Sequence, residues 1–591
     1  MPVYKAPLAD MRFLLNEVFH TEQLAQLPGY EEATPDMVES ILEEAAKLCE
    51  EVLQPINMSG DQEGCTFNNG DVKTPKGFKE AYNTFTGGGW MGLSCDKDYG
   101  GQGLPLLINF LLDEMVCSAN LSFGMYPGLS HGAYNAIHIH GSDELKKAWL
   151  PKIVEGTWSG TMCLTEPHCG TDLGLIKTKA VPNADGSVSV SGTKIFISAG
   201  EHDLTSNIIH LVLARLPDAP EGIRGISLFL VPKFTLDGLR NKVACGSIEH
   251  KMGIKASSTC VINFDGAKGW LLGEKHKGMK AMFTMMNEAR LAVGLQGLGI
   301  AEVSYQNGLN YARDRLQGRG LKGAVFPDKP ADPIIVHPDV RRMLLTMKSI
   351  TEASRALSIW VGMSLDIEAR HPDKDSREAA GDLVALLTPI VKSLMTDHGF
   401  DAANLAVQIH GGHGYIKEYG VEQFVRDARI TQIYEGTNGI QALDLVGRKM
   451  PDGFGRMLRQ FFHPVAEFLK ANAEKEEFKD VLPGFAKTFQ RFQMITLLMA
   501  QKSFANPEEA GAAATDYARC FALVALGYMW LLMIEASHKG LAAGTGDKTF
   551  YESKLKTADF FFAKVLPETA MRMLNIQGGA MPVMALAAEN F

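Results

Sequence analysis

The hydrophobic period of this chain changes twice, and that change limits the fold more than any single residue does. Up to about residue 160, and again from Gly278, apolar residues recur at helical spacing; Met37 to Leu53 (MVESILEEAAKLCEEVL) sets an apolar face against acids. Between these stretches the period drops to two. Ser187 to Ser198 (SVSVSGTKIFIS) alternates and is rich in β-branched residues, and Asn207–Leu216, Ile226–Val231 and Thr259–Phe264 read the same way. Strands without intervening helices predict an antiparallel barrel or sandwich. The helical spacing that follows predicts helices over 279–312, 338–370 and 376–410, long enough for a bundle. The expected chain is mainly α with a central β domain: a helical domain (1–160), the β domain (161–280), a helical bundle (281–450) and a further helical domain (451–591). Gly318 to Pro338 reads as a long surface loop, and Asn57 to Lys73, rich in Gly, Asn and Asp, as another.

A length of 591 residues suits several structural units of this kind. The net charge of −10 argues against a general nucleic-acid binder, because phosphate contact needs a basic surface. Nine scattered cysteines without a CxxC read as reduced thiols in a cytoplasmic protein, not as a disulfide framework or a zinc site. The first residues carry neither a signal-peptide core nor a transit pattern. The longest apolar run, Cys520 to Ile534, is short for a bilayer, so a buried helix and no membrane span are expected.

Chemistry concentrates in a few segments. In Ile433-Tyr434-Glu435-Gly436-Thr437-Asn438-Gly439 a single carboxylate stands between an aromatic residue and a Gly-Thr pair. Burial there would raise its pKa and suit a base that takes a proton from carbon; a helix-start acid facing the helix dipole is the plainer reading. Met162 to Gly174 (MCLTEPHCGTDLG) runs a strand into a turn with hydroxyls at Thr165 and Thr171 and a glycine, Gly170, between them, able to hold a polar ring edge or a phosphate. Lys194 to Gly200 places Phe196 and Ser198 at alternate positions of one strand, where they could cover a flat cofactor and bond its edge. Gln408 to Tyr415 adds glycines suited to close approach.

These segments, in this order, resemble the acyl-CoA dehydrogenase family. The matching stretches are YGGQGLP (99–105), MCLTEPHCGTDLG (162–174), KIFISAG (194–200), KMGIKASST (251–259), NEARLAVGLQGLG (287–299) and QIHGGHGY through RDARITQIYEGTNGIQ (408–441). The resemblance implies FAD wedged between a helical domain, a β domain and a helical bundle, and shared across a homodimer or a dimer of dimers. It implies α,β-dehydrogenation of an acyl-CoA, with Glu435 as the base and an electron-transfer flavoprotein as acceptor. Met162, Leu164, Thr165, Gly170, Thr171, Phe196 and Ser198 would hold the flavin, with Thr165 at the ring edge and Thr171 near the pyrophosphate. Arg315, Gln408, Gly411 and Gly412 would reach the FAD of the partner subunit, and Thr437 and Gly439 would contact the bound FAD near its phosphate and adenosine end. Arg290, with Thr171, Tyr434 and Gly436, would contact the acyl-CoA. The C-terminal extension and ARDRLQGRG (312–320) resemble a bacterial subgroup that converts 3-methylmercaptopropionyl-CoA to methylthioacryloyl-CoA in dimethylsulfoniopropionate catabolism. Short- or medium-chain fatty acyl-CoA dehydrogenation, an acyl-CoA oxidase and a DNA-associated relative are the alternatives.

The chain also departs from the family pattern. Leu316-Gln317-Gly318-Arg319 stands where a Phe-Gly pair is usual, and Phe196 stands where Trp is usual. Some members carry the base on an upstream helix, where this chain has Ala289; Glu288 is adjacent but turned by about 100°. Among other signals, His131, His138 and His140 lack acid or cysteine partners at ligand spacing, so no metal is expected. Gly294 to Gly299 reads as close helix packing, not a dinucleotide fingerprint. Met125 and Tyr126 would either narrow an acyl pocket or simply pack in the core. Asn575 to Ala580 echoes Gln408 to His413, either as an internal duplication or as two unrelated helix ends.

Overall fold

The computed structural model describes residues 2–544 and 546–591. By its contacts the chain divides into two compact units, residues 43–292 and residues 1–42 with 293–591.

In the first unit the strands are β1 (Thr66–Asn68), β2 (Asp71–Lys73), β3 (Trp158–Cys163), β4 (Lys179–Pro182), β5 (Val188–Ser198), β6 (Asn207–Arg215), β7 (Ile226–Pro232), β8 (Val243–Ile248) and β9 (Thr259–Leu272). Strands β4, β5, β9, β7 and β6 pair in a ring that closes through Lys179 and Arg215. β8 hangs on β9, and β3 lies along β6. The ring is filled by alternate residues, among them Val190, Val212, Phe229, Ile262 and Phe264, as the period of two requires. The sheet is mixed where an antiparallel one was expected: β3 runs parallel to β6, with Met162 opposite Leu211. Strands β4 and β8 are short, and Pro182 and Gly246 break their patterns. The expected loop at 57–73 contains the hairpin β1–β2, turned at Asn69-Gly70 with φ of 50° and 95°. Asn-Gly is the pair that such a turn favours.

The helix Leu106–His140 of this unit is broken at Asn120, whose φ of −161° is not helical. Asn120 Nδ2 donates to Leu53 O at 3.2 Å, and its Oδ1 accepts from Phe123 N at 3.0 Å, so it caps the second half as it ends the first. Tyr126, expected either at an acyl pocket or in the core, is buried, and its hydroxyl donates to Ala256 O at 3.0 Å.

The second unit is helical, with Pro338–Arg370, Lys374–His410 and Pro507–Ala543 as its longest complete helices. The helix Gly278–Asp314 contributes its later turns. A Cβ on Gly297 would fall 2.2 Å from Met395 O, and one on Gly399 would fall 2.6 Å from Gly297 O. Gly294, whose Cβ would fall 2.7 Å from Val391, and Gly297 therefore serve close helix packing. Trp530 donates its indole N–H to Ser349 O at 3.0 Å, fixing the C-terminal helices to the bundle. A buried network joins Asp10, Arg355, Glu302, Lys554 and Glu352 across segments more than 500 residues apart.

Three helical stretches, Leu106–His140, Lys374–Tyr415 and Pro507–Ala543, are long and apolar enough to cross a membrane. This corrects the expectation from the short run 520–534, which lies within a helix of 37 residues. Between 83% and 89% of these apolar windows is buried inside the protein. Helix Glu568–Gly578 ends on Gly579 at φ 74°, and Lys374–His410 on Gly411 at φ 58°. The two echoing segments therefore stop their helices one residue out of step.

Candidate active site

In the unit 43–292 the candidate cofactor residues lie on two adjoining segments. The turn after β3 folds onto itself through Glu166 and Cys169, which exchange backbone hydrogen bonds of 3.0 Å. Glu166, buried, accepts from Lys194 Nζ at 2.8 Å, Thr178 Oγ1 at 2.6 Å, Thr178 N at 3.0 Å and Lys177 N at 2.8 Å. Lys194 Nζ also donates to Leu164 O at 2.9 Å, and Ile195 N donates to Thr165 O at 2.9 Å. These bonds staple the turn to β5. Burial works against the Glu166 charge, but Lys194 and the other donors outweigh it and hold the carboxyl below its usual range. Burial pulls Lys194 below its own usual range, and Glu166 restores this only in part.

Next to the staple, β5 carries a bulge. Lys194 pairs with Ile262 and Ile197 with Cys260, so Ile195 and Phe196 share one partner position. The bulge puts Phe196 at φ 59° and leaves it 59% exposed. A large aromatic residue held outward on left-handed backbone needs a reason outside the core. Met162, Leu164, Thr165 and Ser198 are half-buried; Gly170 and Thr171 are exposed. A Cβ on Gly170 would meet nothing within 4 Å, so packing within the chain does not demand a glycine there. An exposed ring flanked by hydroxyls, with an open backbone nearby, fits a flat group with a polar edge.

In the other unit Glu435 stands in the turn before the short helix Asn438–Asp444, at φ 58°. Thr437 caps that helix, accepting from Ile440 N at 3.3 Å, so Glu435 is not its cap. Gln441, fully buried, donates to Glu435 O at 3.0 Å and Gly436 O at 3.3 Å. Asn438 is tied to Asp397 (2.7 Å), Thr396 (3.0 Å) and Lys392 (2.7 Å), and the Tyr434 hydroxyl donates to Gln296. The carboxylate thus sits on strained but braced backbone. Glu435 is half-buried rather than enclosed, as are Tyr434 and Gly436, while Thr437 and Gly439 are exposed.

Arg315, Gln408, Gly411 and Gly412 are exposed at one end of this unit. Tyr311 gathers them. It stacks on His410 at 4.2 Å between ring centroids, its hydroxyl lies 2.8 Å from His413 Nδ1, and its carbonyl accepts from Arg315 N at 2.9 Å. Cβ atoms on Gly411 and Gly412 would meet nothing within 4 Å. The loop 318–338 is folded around buried Asp332, which accepts from Gly320 N (2.9 Å), Val325 N (3.0 Å) and Phe326 N (2.8 Å). Burial opposes the Asp332 charge, but these amides and Arg319 hold its carboxyl at about 2.

Arg290 is buried on the helix Gly278–Asp314, with its guanidinium 5.9 Å from the Phe283 ring. Glu288, the rival base, is paired with His131 and Asn135. The three histidines do not converge: His138 meets Asp96 at 3.1 Å, and His140 meets Thr284 at 2.7 Å. Among the described residues, Glu166, His168 and Cys169 bring possible ligand atoms within 4.8 Å of one another. Glu166 is already committed to Lys194 and Thr178 there. The sequence reading missed Glu166, Lys194, Gln441 and Tyr311, all of which act through backbone or partners distant in sequence.

Four family models match the chain: "Acyl-CoA dehydrogenase, N-terminal domain" (35–157), "middle domain" (161–267), "C-terminal domain" (276–450) and "Acetyl-CoA dehydrogenase C-terminal like" (461–587). The 3-methylmercaptopropionyl-CoA dehydrogenase of Ruegeria pomeroyi is 44% identical over 96% of this chain and 96% of its own. A butyryl-CoA dehydrogenase of Syntrophomonas wolfei is 35% identical over 95% of each. The structure of an acyl-CoA dehydrogenase from Bacillus anthracis complexed with FAD is 23% identical and superposes with a TM-score of 0.74, covering 97% of this chain and 92% of its own.

Proposed function

The chain belongs to the acyl-CoA dehydrogenase family, and from that premise we propose that it oxidises 3-methylmercaptopropionyl-CoA to methylthioacryloyl-CoA with Glu435 as its base. The family is FAD-dependent and acts on acyl-CoA thioesters. When bound, FAD supplies the acceptor for the hydride that leaves the β-carbon. The remaining work falls to the chain. Glu435 takes the α-proton, and the left-handed turn braced by Gln441 holds its carboxylate in place before substrate arrives. The backbone N–H of Glu435 is the donor assigned to the thioester carbonyl, where it stabilises enolate character. Acyl-CoA closing over the half-buried carboxylate removes water and raises its basicity.

Phe196, Ser198, Met162, Leu164, Thr165, Gly170 and Thr171 would cradle the flavin, and Thr437 and Gly439 its phosphate end. Arg315, Gln408, Gly411 and Gly412 would reach the FAD of a second copy in a cytoplasmic homodimer. Their common exposure and the open space at both glycines support this. Arg290, Thr171, Tyr434 and Gly436 would contact the acyl-CoA. Reduced enzyme would pass its electrons to an electron-transfer flavoprotein. The observation that carries the reading is the carboxylate of Glu435 held on left-handed backbone by Gln441.

Anaerobic mixing of the holoenzyme with a panel of acyl-CoAs tests the substrate. The proposal expects flavin bleaching to be fastest with 3-methylmercaptopropionyl-CoA. Equal rates with fatty acyl-CoAs of the same length would contradict that choice.

A further inference from the structure

Within the unit 43–292 the two halves of Leu106–His140 and the first turns of Gly278–Asp314 line a cavity of about 40 Å³. One water needs about 10–15 Å³ in this measure, so the space suits only a few non-hydrogen atoms. Trp90, Phe110 and Met285 supply apolar walls, and Ala289 borders it. The lining also carries four polar side chains, Asn109, Asp113, His131 and Glu288, which the mechanism above does not use.

These four do not stand alike. His131 and Glu288 form a closed pair. His131 Nδ1 faces one Glu288 oxygen, Asn135 donates to the other, and Ser94 Oγ lies 2.8 Å from His131 Nε2. Burial works against a charge on His131, but Glu288 holds its pKa well above the usual value. Asp113 is different. Asn109, one helical turn before it, donates to its Oδ2 at 3.0 Å. Burial raises the Asp113 carboxyl to about 7, with His131 pulling it down and Glu288 pushing it up. At neutral pH it therefore carries a proton much of the time. With one oxygen accepting from Asn109, that proton is available to a group in the cavity.

A hydrocarbon end placed here would give the other oxygen of Asp113 nothing to bond, which is unfavourable. An atom that accepts a hydrogen bond would satisfy it. We propose that Asp113 is a specificity-determining residue that hydrogen-bonds a heteroatom, a thioether sulfur or an ether oxygen, in a short acyl group seated in this cavity. The inference rests on the acyl-CoA reading, in which Ala289 occupies the alternative base position and Arg290 lines the substrate groove. It goes beyond that reading by naming the group that tells a sulfur-containing chain from a hydrocarbon one.

The test compares kcat/KM for 3-methylmercaptopropionyl-CoA with that for pentanoyl-CoA, which has a methylene in place of the sulfur. Asp113→Leu should lower this ratio about tenfold, and Asp113→Asn, which keeps a donor, should lower it no more than about threefold. Asp113→Ala removes the donor without adding bulk and should give the same fall if the Leu variant does not fold. A ratio unchanged in both the Leu and Ala variants would overturn the assignment, because water rather than substrate would then satisfy Asp113. If the wild-type holoenzyme dehydrogenates neither thioester, the acyl-CoA reading falls, and this assignment with it.

Discussion

Replacing Lys194 with Met would leave Glu166 buried without its cation, and the effect can be worked from the bonds around it. Breaking a buried pair by removing one partner costs about 3–5 kcal/mol. Glu166 keeps Lys177 N, Thr178 N and Thr178 Oγ1, so the expected loss is at the low end, ~3 kcal/mol, or about a hundredfold in the equilibrium for opening the turn. Leu164 O also loses its donor. Glu166→Gln should cost less, and the double variant Lys194→Met/Glu166→Gln should fall short of the summed single effects by at least ~1.5 kcal/mol. The pH dependence has a definite sign. In the wild type the folded-state pKa of Glu166 is depressed, so its contribution is present above the usual carboxylate range and is lost as pH falls through the folded value. Without Lys194 burial dominates and the folded pKa rises, so the penalty grows with pH. The gap between wild type and Lys194→Met should therefore widen from pH 5 to pH 8. Urea unfolding of the holoenzyme, followed by the fluorescence of released flavin, measures both effects. Additive single changes, or a gap that does not depend on pH, would refute the argument that this pair staples the turn to β5.

Other perturbations test other parts of the account. Gln441→Leu removes the donor to Glu435 O and Gly436 O; kcat should fall at least about tenfold with flavin content retained, as steady-state turnover would show. Lys554→Met leaves Asp10 to Arg355 and Glu352 to Lys348 in the second unit and should destabilise it by ~3 kcal/mol, the low end for a broken buried pair, read as a lowered urea midpoint. Asp332→Ala removes the acceptor of three backbone amides and should expose the loop 318–338 to limited proteolysis at sites that the wild type protects.

Much of the fold was legible because the helical and strand periods differ, and the chain keeps each over long stretches. Pro338–Arg370 appears within the limits its spacing predicts, and Gly278–Asp314 within two residues at the C-terminal end. What could not be read depends on partners far apart in sequence. The parallel pairing of β3 with β6 joins residues about 49 positions apart, and no local period encodes it. β4 has only four residues, and Gly246 interrupts the apolar pattern of β8. The hairpin at Asn69-Gly70 was legible but was masked by the polar composition around it. At the site, Glu435 stood out because a lone carboxylate among apolar and glycine residues is unusual. Gln441 did not, since a glutamine in an amphipathic turn looks like surface until its burial is seen. Glu288 could be set aside as a base only by the direction of one helical step, and its pairing with His131 now supplies a physical reason. Tyr126 looked equally suited to a pocket or a core, and its hydrogen bonds commit it to the core.

The central claim is that Glu435 removes the proton. The most direct measurement is stopped-flow flavin bleaching of Glu435→Gln under anaerobic conditions with saturating 3-methylmercaptopropionyl-CoA. The variant should keep the flavin absorbance of the wild type and bleach at least about 10³-fold more slowly, the loss expected when a positioned base is removed. Bleaching within about tenfold of the wild-type rate would contradict the assignment and return the search to another carboxylate.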